Sequence, residues 1–152
     1  MSEIEKKSAA KSPRHRAREL AVQGIYQWRL TGEDIDQLVK NTREEKSLGR
    51  YDTDLFAQLL IGAISQHEAL IELISPHLDR SMNELSPVEF SILLLGTYEL
   101  ARQLEVPYRV VINESVELTK TFGGTDGHKY VNGVLDKLAL KLRAVECGAG
   151  KA

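Results

Sequence analysis

The residues of this 152-residue chain that are able to do chemistry are few and widely spaced. None of its four histidines has a second histidine, a cysteine or a carboxylate pair at a metal-ligand spacing: His15, His67, His77 and His128. Glu114 and Glu117 lie three apart on a predicted helix, which is more typical of a solvated face than of an acid–base pair. No phosphate-binding glycine motif occurs, and Gly123-Gly124 is interpreted as a helix end. An enzyme would need a site assembled from scattered residues, so we expect no enzymatic activity, no metal and no cofactor.

Positive charge is concentrated in the first eighteen residues, although the chain as a whole has a net charge of -2. Six basic residues face two acidic ones there, and no acidic residue occurs between Lys6 and Arg18. Such a cluster ahead of an acidic remainder is typical of a nucleic-acid-binding arm, but it also fits a solvated tail. The basic run alone leaves both interpretations open.

A helix is predicted to carry the arginines of this run. Ser12 and Pro13 form a helix-start signal, and apolar residues at three- and four-residue spacing continue to about Leu30. Arg14 and Arg18 then share a face of the exposed first turns, with Arg16 round the side. Because a helix fixes where guanidinium groups point, this placement favours a binding role over a tail.

The remaining composition indicates a cytoplasmic protein that does not enter a membrane. A single cysteine, Cys147, excludes an intramolecular disulfide and fits a reducing compartment. The longest purely apolar run, from Ile92 to Leu95, is far shorter than the roughly 20 residues of a membrane span. The polar N-terminus has no apolar signal-peptide region.

The hydrophobic pattern predicts an all-α fold of about seven helices, because no segment shows the alternation of a strand. Ser86-Pro87-x-Glu89 is a capping-box signal that begins the most apolar segment, 88–104, which we expect to be the central buried helix. Residues 1–11 are predicted to be disordered, 12–143 to form a single domain, and 144–152 to be a disordered tail.

Weaker signals predict further details of the helices. Ser65-x-x-Glu68 has the spacing of a second capping box, and Asp126 is expected to cap the last helix. The polar stretch 41–50 is a predicted loop. Asn113 and Asn132 lie among apolar residues and are expected to be buried, hydrogen-bonded groups.

Five segments in a fixed order carry a resemblance to a known family. They are PRHRARELAVQGIYQW (13–28), ELSPVE (84–89), YEL (98–100), VPYRVVINE (106–114) and HKYVNGVLDK (128–137). Together they make the chain, from about Pro13 to Arg143, resemble the NusB family of bacterial transcription antitermination factors. The resemblance implies a fold of two packed three-helix bundles with a short extra helix.

The function that the resemblance implies is that of a non-enzymatic RNA-binding factor. It would bind single-stranded boxA RNA together with NusE, a small-subunit ribosomal protein, within an antitermination complex with RNA polymerase. It would support transcription of ribosomal RNA operons and use no small-molecule substrate. The same domain occurs fused to ribosomal RNA cytosine methyltransferases, so a regulatory subunit of an RNA-modifying enzyme is an alternative, and a helical DNA-binding regulator is a third.

Site residues also follow from the resemblance. The RNA-binding set is expected to be Arg14, His15, Arg16, Arg18, Tyr26, Lys129 and Tyr130. His15 stands where the family often has another basic residue, which weakens the arm at neutral pH. Tyr130 is expected to stack on a base, with packing as the alternative. Glu89 and Asp126 are expected on the partner-binding surface, and helix capping is the alternative for both.

Overall fold

The computed structural model describes residues 11–124 and 126–148, which contain seven α-helices and no strand. The helices are α1 (Pro13–Thr31), α2 (Ile35–Glu44), α3 (Thr53–Ser65), α4 (His67–Ile74), α5 (Pro87–Arg102), α6 (Tyr108–Phe122) and α7 (Gly127–Leu142). The prediction of an all-α fold with about seven helices is confirmed. The segments 1–10 and 149–152, parts of the two predicted disordered ends, lie outside the described residues.

The first three helices pack together as one bundle, which begins where the sequence predicts. Ser12 Oγ accepts a hydrogen bond from His15 N at 3.0 Å, and Pro13 occupies the first turn of α1. Asp52 caps α3 in the same way, accepting from Leu55 N at 2.9 Å. The predicted loop 41–50 is shorter than expected, because α2 continues to Glu44 and a 3₁₀ turn covers Lys46–Leu48.

The second bundle consists of α5, α6 and α7, and α5 lies at the centre of the molecule. Every residue from Phe90 to Leu100 is buried, because α1, α3 and α4 pack on one side of α5 and the other two helices on the opposite side. The short α4 is the extra helix that joins the two bundles. The expected pair of three-helix bundles and the central buried helix are therefore confirmed.

Three local predictions are wrong. Ser65 is the last residue of α3, and α4 begins after Gln66 without a side-chain cap. Asp126 precedes α7 but makes no capping hydrogen bond. Asn113 and Asn132 are exposed, since each lies on the solvent side of its helix rather than on the apolar stripe.

Residues 144–148 are folded, although the disordered tail was expected to begin at residue 144. The buried Arg143 side chain donates to the carbonyl oxygens of Leu100, Glu99 and Gln103 at 2.7, 3.2 and 3.0 Å. Glu146 in turn accepts a 2.7 Å hydrogen bond from Tyr108 N. Residues 143–148 form turns that tie the end of α7 to the end of α5 and the start of α6.

Candidate nucleic-acid interface

The start of α1 presents one strongly exposed arginine. Arg14 has a side-chain exposure of 53%, and its Nη1 lies 3.8 Å from Asp52 Oδ2, too far for a tight ion pair. Arg16 is more enclosed: its Nη1 donates to Glu19 Oε1 at 3.1 Å and its Nε to Leu48 O at 3.2 Å. Arg14 is thus the arginine on this turn that is most available to an external anion.

Arg18 does not reach the surface, so the expectation of three exposed arginines is wrong for this residue. Its side chain is 3% exposed, its Nε donates to Glu99 Oε1 at 2.7 Å, and its Nη1 lies 3.5 Å from Glu114 Oε1. Arg14 and Arg18 lie on the same face of α1. Arg14, at the start of the helix, is exposed on this face, whereas Arg18, one turn later, is covered by α5 and α6. Arg18 therefore holds three helices together.

His15 also points into the protein rather than away from it. Its Nδ1 is hydrogen-bonded to Glu114, and its Nε2 lies 3.6 Å from Glu19 Oε2. The same Glu19 oxygen accepts from Lys11 Nζ at 3.0 Å. The cations at the start of α1 are thus largely matched by carboxylates of the fold.

Burial changes the pKa of Glu99, the carboxylate that pairs with Arg18. Removal from water raises the pKa of the Glu99 carboxyl above its usual value, and the neighbouring Arg18 guanidinium opposes that shift. Glu99 Oε2 has no hydrogen-bond partner among the described residues. The carboxylate therefore depends on Arg18 for its compensation.

Tyr26 lies on α1 about two turns after Arg18 and is partly exposed. It lines a groove of about 500 Å³ whose other apolar walls are Leu30, Val88 and Phe122. The groove lies between α1, the start of α5 and the end of α6. Its lining offers apolar and aromatic surface to a base or to a partner's side chain.

At the start of α7 the two expected RNA-binding residues have very different exposure. The Lys129 side chain is 76% exposed, and its Nζ lies 3.8 Å from Asp126 Oδ1. Tyr130 is half-buried, and its hydroxyl donates to Asp79 Oδ1 at 2.9 Å. The Arg80 guanidinium lies over the Tyr130 ring, 4.6 Å from the ring centre.

Asp79 and Arg80 therefore contact a candidate site residue, Tyr130, and sequence reasoning missed both. Hydrogen bonds from Arg80 and Tyr130 lower the pKa of Asp79 to about 2, and burial slightly opposes them. Burial is the main cause that raises the pKa of Tyr130. In the sequence, the only signal near Asp79 and Arg80 is the helix-breaking Pro76 that precedes them. This signal predicts the end of a helix but not a contact between residues 79–80 and α7.

Glu89 has the capping role that the sequence predicts. Its backbone N donates to Ser86 Oγ at 3.1 Å, and its Oε1 accepts from Ser86 N at 3.3 Å. Its other carboxylate oxygen faces the start of α7, since a Cβ at Gly127 would come within 3.3 Å of it. Glu89 is thus brought close to the segment that contains Asp126, which is itself exposed.

The two parts of the expected RNA surface lie at opposite ends of α5. Arg18 pairs with Glu99 near the end of α5, whereas Arg29 lies over the Phe90 ring at its beginning, so α1 and α5 are antiparallel. The start of α7 adjoins Glu89. Ten helical residues separate Glu89 from Glu99, which corresponds to about 15 Å. The structure places Tyr26 near the start of α5, where it lines one groove with Val88, and does not bring the arginines into contact with Lys129 or Tyr130.

These features define an all-helical protein with cationic and aromatic side chains on its surface, a combination suited to nucleic acid. No group of three potential metal ligands occurs in the described part of the chain. None of the described helices combines the length and the apolar character that crossing a bilayer requires.

Comparison with known proteins gives the family. A model of the NusB family matches residues 15–140, and the chain belongs to the NusB family. It is 54% identical over 145 residues to the transcription antitermination protein NusB of Dechloromonas aromatica (strain RCB), covering 95% of this chain and 89% of that protein. It is 52% identical over 148 residues to the NusB of Ralstonia pickettii (strain 12J), covering 97% and 96%.

Solved structures agree with this assignment. Thermotoga maritima NusB superposes with a TM-score of 0.73 at 30% identity, covering 85% of this chain and 92% of that one. A crystal structure of the antitermination factors NusB and NusE in complex with double-stranded RNA gives a TM-score of 0.73 at 32% identity, covering 82% and 93%. The resemblance stated from the sequence is confirmed. The relatives are named for antitermination and not for a reaction, in agreement with the expected non-enzymatic factor.

Proposed function

We propose that this chain is an RNA-binding transcription antitermination factor that acts in the cytoplasm without chemistry of its own. The observation that carries the proposal is the family match over residues 15–140, since the curated relatives are antitermination proteins. The surface side chains fit the role: the exposed Arg14 and Lys129 offer positive charge to phosphates, and Tyr26 and the half-buried Tyr130 offer aromatic surface to bases. The RNA is single-stranded boxA RNA, and the assembly includes RNA polymerase.

NusE is the proposed protein partner, because a related NusB has been solved together with NusE and double-stranded RNA. The apolar groove beside Tyr26 and the carboxylates of Glu89 and Asp126 lie on the same end of the molecule, around the start of α5. Apolar surface rimmed by charge is typical of a protein interface. Capping and partner contact are compatible for Glu89. Its cap uses Oε1, and Oε2 remains available to accept a hydrogen bond from a partner.

The alternative of a methyltransferase subunit receives less support. This chain is matched over 89% and 96% of the length of the two antitermination relatives. The similarity therefore extends over almost the whole of proteins that are themselves antitermination factors.

A binding panel tests the proposal. Labelled single-stranded boxA RNA, the same sequence as an RNA duplex, and a DNA duplex are titrated with the protein, each with and without NusE. We expect the single-stranded RNA to bind most tightly and NusE to strengthen that binding. Equal binding of the DNA duplex, or no binding of RNA in the presence of NusE, would contradict the proposal.

A further inference from the structure

The connection between α2 and α3 is fixed against the first turn of α1. Asp52 N donates to Pro13 O at 3.0 Å, and Arg16 Nε donates to Leu48 O at 3.2 Å. Between these two anchors Gly49 adopts a φ of 80°, a left-handed conformation that favours glycine. The residue that follows, Arg50, is therefore carried by a short segment held on both sides.

Arg50 differs from the arginines of α1 in its charge environment. Arg14, Arg16 and Arg18 each have a carboxylate within ion-pair distance. Arg50 is exposed, and no carboxylate of the described residues lies within 4.0 Å of its guanidinium. The charge of Arg50 is thus not offset by a nearby carboxylate, whereas the charges of the three arginines on α1 largely are.

Two helix starts lie close to Arg50. The starts of α1 and α3 lie side by side, as the hydrogen bond between Asp52 N and Pro13 O shows. Each helix start contributes a partial positive charge, which the carboxylates of Asp52 and Asp54 partly offset at the start of α3. Ser12 and Asp52 already cap these starts, so an anion here would be bound by arginine side chains rather than by free backbone N–H groups.

We propose that Arg50 binds the RNA backbone beside Arg14, so that the RNA surface continues from α1 onto the connection between α2 and α3. The inference rests on the proposed RNA-binding function and adds a residue to it. A guanidinium is suited to this work because its planar fork of donors matches the oxygens of a phosphate. A phosphate contact carries no sequence information, so Arg50 contributes affinity and not specificity.

The test compares Arg50→Ala and Arg50→Lys with the control Lys40→Ala. Lys40 is an exposed cation in the middle of α2 without an ion pair among the described residues, so this variant removes the same charge elsewhere. Affinity for single-stranded boxA RNA is measured with NusE present, over a range of salt concentrations. A second single strand of unrelated sequence is measured in parallel.

We expect Arg50→Ala to weaken binding of both RNAs about fivefold at 0.1 M salt and to reduce the salt slope by about 0.7, the value for one phosphate on a single strand. Arg50→Lys should retain most of the affinity, and Lys40→Ala should bind like the wild type. Wild-type affinity and slope in Arg50→Ala would overturn the inference. A lower affinity with an unchanged slope and a lower melting temperature would also overturn it, because Arg50 would then be structural. Failure of the wild-type protein to bind RNA would instead overturn the proposed function.

Discussion

Arg14 and Arg18 stand one turn apart on α1, and their surroundings assign them different work. Arg14 is exposed, with Asp52 Oδ2 3.8 Å from its guanidinium, whereas Arg18 is enclosed by Glu99 and Glu114. An exposed ion pair contributes little to stability, because water solvates both charged groups when the pair is absent. Removing one member of a buried pair leaves the other charge without compensation.

Replacing each of these arginines by alanine should therefore separate binding from folding. We expect Arg18→Ala to lower the free energy of unfolding by about 3–5 kcal/mol, because Glu99 remains buried. Arg14→Ala should cost about 1 kcal/mol or less and weaken RNA binding. Urea denaturation and an RNA titration of both variants check this. Equal stability of the two variants would contradict the buried role of Arg18.

Tyr130 is half-buried and the Arg80 guanidinium lies over one face of its ring, so stacking on a base and packing need separate tests. If a base stacks on the ring, Tyr130→Ala should weaken RNA binding about 5- to 150-fold, which corresponds to about 1–3 kcal/mol, and Tyr130→Phe should stay near wild type. Both variants lose the hydrogen bond to Asp79. RNA affinity and melting temperature are measured on the same samples. Full RNA affinity in a folded but destabilised Tyr130→Ala protein would exclude stacking.

Asp79 should report on the contacts at the start of α7 through its titration. Its pKa is about 2 in the folded protein against an ordinary value of 3.8, so its contribution to stability is fully present above pH 3.8 and is lost as the pH falls through 2. Because the bond from Arg80 is the largest cause, Arg80→Ala should return the pKa toward 3.8 further than Tyr130→Phe does. Carboxyl NMR titration measures both values. An unchanged pKa in Arg80→Ala would refute the assigned cause.

At the scale of the helix, Arg143 stabilises the end of α5. It donates to three carbonyl groups there, two of which, Glu99 O and Leu100 O, belong to the last turns of the helix. Arg143→Met keeps much of the side-chain length but removes every donor. We expect it to lower the free energy of unfolding by about 1–3 kcal/mol, the cost of leaving buried acceptors unpaired. Lys141→Met, exposed in the last turn of α7, is the matched control and should leave chemical denaturation nearly unchanged. Equal losses of unfolding free energy in the two variants would show that the hydrogen bonds of Arg143 contribute nothing to stability.

Helix starts were predictable where the cap and the following apolar residues agree. Ser12 with Pro13, and Ser86 with Pro87 and Glu89, precede strongly patterned segments, and both caps form. Ser65 has the same local spacing but is itself the last residue of α3, and Gln66 rather than Ser65 occupies the position before α4. The success of a capping motif thus depends on a break in the backbone that the motif itself does not produce.

At the scale of the whole molecule, tertiary neighbours decide which cations are available. The sequence shows the arginine-rich start of α1, but the partner of Arg18 is Glu99, 81 residues away. For the same reason the sequence did not reveal that Asp79 and Arg80 reach Tyr130, or that the loop carrying Arg50 is fastened to Pro13. Apolar periodicity determines the fold, whereas pairing between distant charged residues determines the surface.

The two ends of the proposed RNA surface, at Arg14 and at Tyr130, lie at opposite ends of α5, and Tyr26 lies toward the same end as Tyr130. An RNA that uses both ends must therefore extend along the molecule. A single strand is able to do so because its bases unstack and turn to meet separate side chains.

Mapping the RNA contacts by NMR tests this account most directly. Single-stranded boxA RNA is added to the isotope-labelled protein with unlabelled NusE, and signals are compared with those of the NusE complex alone. We expect the RNA to shift signals at Arg14, at Tyr26 and at Lys129 and Tyr130, while the exposed Glu68 and Glu72 on α4 stay unchanged. Shifts confined to α4, or to only one end of the surface, would contradict an RNA path that runs from the start of α1 to the start of α7.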